Sequence, residues 1–253
     1  MTAAQPPARW SDLRRFTPAR VGLGRAGNGL PTAAHLAFQA AHAAARDAVH
    51  AVLDVAALQA DLTAGGIDSI AVHSAAADRV TYLRRPDLGR CLREADRALV
   101  PAAPGAVLFV VCDGLSAVAG QRHAGELLGR AIAALRVTMP VAPVVIATQG
   151  RVAIGDDIGG IMGAAAVAVL IGERPGLSAT DSLGIYLTWR PRPGRLDAER
   201  NCISNIRPAG LPIPRAVARL LWLIEAMCRL QLTGVALKDD QPAALPAADH
   251  ANG

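Results

Sequence analysis

Aromatic side chains are scarce in this 253-residue chain: three Trp, two Tyr and three Phe, 3% of the total. So few rings offer no platform for stacking bases, and the interior has to be packed from Ala, Val, Leu and Ile. Lysine is scarcer still, with Lys238 alone beside 25 Arg. The net charge of +5 is scattered, and no run of five basic residues occurs. Pairs such as Arg14-Arg15 and Arg84-Arg85 lie beside acidic or apolar residues, so no phosphate-tracking stripe forms and nucleic acid is not an expected partner. The four cysteines, Cys91, Cys112, Cys202 and Cys228, are far apart and make no CxxC or metal-ligand spacing. That pattern indicates free thiols in a reducing compartment and no metal site. No run of about eighteen apolar residues is present, and MTAAQPPARWSDLRRFTPAR has no apolar signal segment, so neither membrane spanning nor secretion is expected.

What is present is a chain that is 52% hydrophobic and 19% charged, too apolar for disorder except near its ends. Residues 1–31 are rich in Pro, Gly and Arg and read as irregular chain, with Thr32 as an N-cap. From 33 to 62 apolar residues including Leu36, Val49, Leu53 and Leu58 recur at helical spacings and predict one long Ala-rich helix, stopped at Gly65-Gly66. His35, His42 and His50 fall along it as a solvated or interface stripe, with too few ligands for a metal. A short strand at 67–76 and a helical stretch at 81–99, interrupted near Pro86, follow.

From Pro101 the texture alternates. AVLFVVCDG (106–114), APVVIATQG (142–150) and AAVAVLIGE (165–173) are continuous apolar runs, separated by helices over 116–136 and near 156–163. A further strand-like run, GIYLTW (184–189), follows, and a last helix spans 213–234. Unalternating apolar strands are buried on both faces, which predicts an α/β fold with an open, mostly parallel sheet and helices on both faces. Ligands in such folds gather outside the carboxyl ends of the strands. There the chain places three polar, Gly-containing elbows: Cys112-Asp113-Gly114, Thr148-Gln149-Gly150-Arg151 and Gly172-Glu173-Arg174-Pro175-Gly176.

Those elbows carry no catalytic constellation. Gly22-x-Gly24-x-x-Gly27 has only a short RVGL before it and lacks the strand that would make it a dinucleotide fingerprint. Gly114-Leu115-Ser116 is half a nucleophile elbow, with Ser116 better placed to cap the next helix. Asp156-Asp157 reads as a dipole complement at a helix start. The residues describe a rim that binds something, in a partner or cofactor subunit.

The stretches GRAGNGLPT, AADRVTYLRRPDLGR, VCDGLSA, QGRVAIGDDIG, LIGERPGLSATDSLGIYL and AERNCISNIRPAGL, in that order, resemble the small subunit of ethanolamine ammonia-lyase. The resemblance runs from about residue 10 to about 240. It implies a Rossmann-like cobalamin-binding domain over 67–240, preceded by an N-terminal arm and helical region over 1–66 and followed by a loose tail, 241–253. It further implies adenosylcobalamin held between this chain and a large, TIM-barrel subunit in a hetero-oligomer that converts ethanolamine to acetaldehyde and ammonia. Carried over residue by residue, the cofactor contacts are Val152, Glu173 and Cys202, the last in what reads as a loop. Catalytic side chains are expected on the large subunit.

The chain has no Asp-x-His-x-x-Gly stretch, so the resemblance implies a base-on cofactor that keeps its dimethylbenzimidazole on cobalt. Some family members carry a longer leader linked to packaging in a bacterial microcompartment. Only nine residues precede Trp10 here, which moves the expectation toward a free cytoplasmic complex. A self-sufficient nucleotide-binding enzyme and a structural adaptor without cofactor contact are the alternatives that the residues leave open.

Overall fold

The apolar runs assemble into a single six-stranded mixed sheet in a computed structural model that describes residues 12–238 and Asp240. The tail, 241–253, and the first eleven residues lie outside the described residues. The strands are β1 (Ser69–His73), β2 (Val107–Cys112), β3 (Val144–Thr148), β4 (Ala166–Gly172), β5 (Leu183–Trp189) and β6 (Asn201–Ile206), in the order β1-β3-β2-β4-β5-β6. The first four are mutually parallel, while β5 runs antiparallel to both of its neighbours. The carboxyl ends of β1 to β4 and of β6 therefore share one rim, and β5 begins there.

Helices cover both faces, as the sequence predicts. The helices are α1 (Thr32–His50), α2 (Val55–Ala64), α3 (Arg79–Arg84), α4 (Ala117–Leu135), α5 (Ile154–Met162) and α6 (Ile213–Leu230). Alternation sorts the central strand: Val107, Phe109 and Val111 enter one core with residues of α2, α4 and α6, while Leu108, Val110 and Cys112 enter a second with α5. All six are buried, which is why β2 reads as an unbroken apolar run.

Three local readings change. The long helix is two, because the chain turns extended at Ala51 and Asp54 restarts it. The Asp54 carboxylate accepts from Ala57 N–H while its own N–H donates to Gln121 Oε1 on α4, so a tertiary contact ends a pattern that local periodicity would continue. Thr32 is the first helical residue, with Pro31 at the cap. Residues 201–206 form a strand, so Cys202 lies on β6 and not in a loop. The parallel edge is tied down by Asp96, a buried carboxylate that accepts from His73 N–H on β1 at 2.7 Å and from Arg93 Nη2 at 2.7 Å.

Burial pushes the Asp96 carboxyl up, but the bonds from Arg93 and His73 outweigh it and hold it below its ordinary 3.8. A lowered carboxyl stabilises the fold fully above 3.8 and loses that contribution as pH falls through its folded-state value. Asp96→Asn is expected to cost about 1–3 kcal/mol at pH 7, with the gap to the native chain shrinking below pH 4. Urea unfolding at pH 7 and pH 3 measures it, and an equal gap at both would contradict the assignment.

Candidate functional site

Three elbows leave the rim, and Asp113 joins two of them. Its carboxylate, almost fully buried, accepts from Gly114 N–H at 3.0 Å and from Gly150 N–H at 3.2 Å. Burial raises the Asp113 carboxyl, against the opposing pull of the Gln149, Gly150 and Gly114 amides and of Arg79. Arg79, on α3, donates to Val49 O at 2.7 Å, to Gly114 O at 2.8 Å and to Gln149 Oε1 at 3.4 Å. One guanidinium thus ties the end of α1 to two strand-end turns. Gln149 itself takes a φ of 54°, a left-handed conformation that a non-glycine residue holds only where its surroundings impose it.

Tyr82 lies fully buried beneath this framework, with the guanidinium carbons of Arg79 and Arg151 over its ring at 4.7 and 4.2 Å. Arg151 also donates through Nη2 to Tyr82 O at 3.2 Å. Three buried polar atoms in this cluster have no hydrogen-bond partner: Tyr82 Oη, Arg151 Nε and Arg79 Nη2. Burial raises the Tyr82 phenol far above its ordinary value, so it stays protonated and able to donate at any physiological pH.

A cleft of about 380 Å³ opens beside the cluster, walled by Tyr82, Arg151, Val152, Ile171, Glu173 and Tyr186, among others. Val152 and Glu173, predicted from separate motifs, therefore share one cavity. The Glu173 carboxylate accepts from the Ser182 hydroxyl and from Asn205 N–H. Among the described residues no ion pair joins it to its neighbour Arg174. Cys202 is outside the cleft wall but pairs across the sheet with Tyr186. Burial raises the Tyr186 phenol to about 12, with Cys202 and Glu173 adding to the shift, and burial likewise raises the Cys202 thiol. Cys202 and Ser204 are exposed on the same face of β6.

Comparison with known proteins decides the family. The profile described as "Ethanolamine ammonia-lyase light chain (EutC)" matches residues 7–238. An ethanolamine ammonia-lyase small subunit of Azotobacter vinelandii is 52% identical over 238 residues, covering 91% of this chain and 88% of that protein. One of Xanthomonas campestris pv. campestris is 52% identical over 259 residues, 99% and 95% of the two chains, and one of Ralstonia nicotianae is 52% identical over 245, 94% and 90%. The chain belongs to the ethanolamine ammonia-lyase light-chain family.

In this light chain the other motifs fall elsewhere. Ser116 stands at the N-cap of α4, yet its hydroxyl donates to Thr180 O and makes no cap bond. Asp156 and Asp157 are both engaged, the first by Arg200 and the second by Leu92 N–H and Arg97. Gly22, Gly24 and Gly27 adopt positive φ ahead of α1, the first two half-buried in irregular chain and the third in an exposed turn, with no strand before them among the described residues. Sequence reasoning placed Arg151 in a rim elbow without giving it a role, and did not single out Tyr82 or Tyr186. Composition held one signal for them, since the chain has two tyrosines and both wall the same cleft.

Proposed function

We propose that this lyase subunit presents the cleft of Val152 and Glu173 to adenosylcobalamin and closes it against the large subunit of a hetero-oligomer. The observation that carries the reading is the convergence of two motif residues, Val152 and Glu173, on one rim cavity, with Cys202 linked to it through Tyr186. The wall chemistry suits a corrinoid, a broad apolar ring edged with primary amides. Val152 and Ile171 offer apolar surface, Glu173 accepts hydrogen bonds, and Tyr82 and Arg151 bring unpartnered donors.

When bound, the cofactor supplies the radical by homolysis of its cobalt–carbon bond, in a base-on form that keeps its own dimethylbenzimidazole. This chain binds, orients and shields. Residues 67–240 form the cofactor-binding unit, residues 1–66 serve as an arm toward the large subunit, and the catalytic side chains belong to that subunit. All four cysteines are free, in keeping with a reducing cytoplasm, whether the complex is free or inside a microcompartment. No helix among the described residues is long and apolar enough to cross a membrane.

Mixing experiments test the reading. Ammonia release from ethanolamine is expected when this chain, the large chain and adenosylcobalamin are combined, and none from this chain alone. Glu173→Ala should weaken cobalamin binding by the complex by about 1–3 kcal/mol, roughly 5- to 150-fold, because an amide loses its half-buried acceptor. Activity from the isolated chain, or unaltered affinity in the Glu173 variant, would refute it.

A further inference from the structure

We infer that Arg79 and Asp113 are positioning residues for the cleft: together they fix the shape of the elbow at 148–152 and, through it, the place from which Val152 faces the cavity. The inference rests on the cofactor reading above and gives both side chains a role that neither the motifs nor the family name supplies. Neither belongs to the cavity wall, so their effect on a bound group passes through the residues they hold.

The two side chains are 14% and 4% exposed and carry opposite charges, yet they do not close on each other. Arg79 Nη1 stands 3.6 Å from Asp113 Oδ2, and Arg79 Nη2 has no partner. The Arg200–Asp156 bridge shows the alternative, with bonds of 2.8 and 2.6 Å between the charged groups themselves. Arg79 and Asp113 direct their hydrogen bonds to the elbows instead. Asp113 accepts from the Gly114 and Gly150 amides, while Arg79 donates to Gly114 O and Gln149 Oε1, and its third bond, to Val49 O, keeps the end of α1 on the same framework. Such an arrangement leaves two charges out of water without the full attraction of a closed bridge, and burial raises the Asp113 carboxyl accordingly.

What it secures is geometry. Gln149 holds a φ of 54°, which a residue with a side chain does not keep unaided. Its side chain is held by Arg79 and the amide of the next residue by Asp113. Arg151 N–H then donates to Gly89 O at 2.7 Å, and Val152 follows in the cavity wall. Without the pair, the elbow is free to leave that conformation and to carry Val152 with it.

The test compares Arg79→Met with the double variant Arg79→Met/Asp113→Asn. The single variant strands a buried carboxylate and should lose stability, whereas the double one removes both charges and should melt within about 4 °C of the native chain. Cyanocobalamin affinity of the two-chain complex, read by equilibrium dialysis, should be about tenfold weaker in both. A pair that served stability alone would regain affinity together with stability. A second readout needs no cofactor. In the double variant the Arg151 amide should exchange its hydrogen about tenfold faster than in the native chain, because its elbow opens more often, while the amides of β3 keep their native rates.

Native cobalamin affinity in the double variant would overturn the inference whatever its melting temperature, and so would a native exchange rate at Arg151. Faster exchange throughout β3 would mark the pair as merely structural and overturn it too. If the double variant binds normally while Glu173→Ala weakens binding, the positioning role fails and the cofactor reading stands. If Glu173→Ala also binds normally, both fail.

Discussion

Gly172→Ala is expected to leave little soluble protein. Gly172 ends β4 where the β2 elbow crosses it, and a methyl group there would lie 2.0 Å from Ser116 O and 2.7 Å from Asp113 O. Both are backbone atoms, and neither can retreat. Ser116 O accepts from Ala119 N–H in the first turn of α4, and the Asp113 side chain is held by the adjacent Gly114 amide and, across the rim, by that of Gly150. The crossing is reciprocal, because Gly114 takes a φ of 57° and a Cβ on it would sit 2.3 Å from Gly172 O. Leu115 N–H bonds to that same oxygen at 2.9 Å, so the two elbows are stitched as well as interlocked. Separating them costs about 4 kcal/mol or more, a large share of the roughly 5–15 kcal/mol that holds a domain folded. Gly129→Ala is the contrasting control. It lies in α4 with no atom within 4 Å of the added methyl group, and should stabilise by about 0.5–1 kcal/mol. Soluble yield and thermal unfolding of the two variants decide the matter, and a native melting temperature for Gly172→Ala would end the argument.

How much of this was legible depends on where each feature gets its energy. Strands β2, β3 and β4 are buried on both faces by their own side chains, so their sequences state the fold class directly. Strand β6 does not announce itself. In Asn-Cys-Ile-Ser-Asn-Ile only Ile203 and Ile206 are buried, one face lies open, and the pairing with β5 is irregular between Leu183 and Ile185. The break between α1 and α2 depends on Gln121, which is 67 residues away from Asp54. The elbows bearing Val152 and Glu173 could be placed at strand ends from the apolar runs alone. Tyr82 could not, since it reaches the cleft by packing under an arginine 69 positions later in the chain.

The buried bridge between Arg200 and Asp156 fixes the distance between two parts of the site, and Arg200→Met is expected to remove about 3–5 kcal/mol of stability. Arg200 donates to Asp156 Oδ1 at 2.8 Å and Oδ2 at 2.6 Å, to Thr188 Oγ1 at 2.8 Å and to Arg195 O at 3.1 Å. The two side chains of the pair are 1% and 2% exposed, so removing the guanidinium strands a carboxylate out of water. Asp156 follows Val152 by four residues and Arg200 precedes Cys202 by two, so the bridge holds the start of α5 against the start of β6. On the cofactor reading proposed above, cobalamin affinity of the two-chain complex should therefore fall together with stability. The loss carries a pH signature. Burial already raises the Asp156 carboxyl, and Arg200 is the main influence holding it down. Without Arg200 it rises further, and a raised carboxyl favours the folded state at low pH and loses that advantage as pH increases. The deficit should thus be smaller at pH 5 than at pH 8, and Asp156→Leu combined with Arg200→Met should recover most of it by removing both charges. Urea unfolding of the single and double variants at both pH values measures this, and a double variant as unstable as the single one would show that the stranded carboxylate is not the cause.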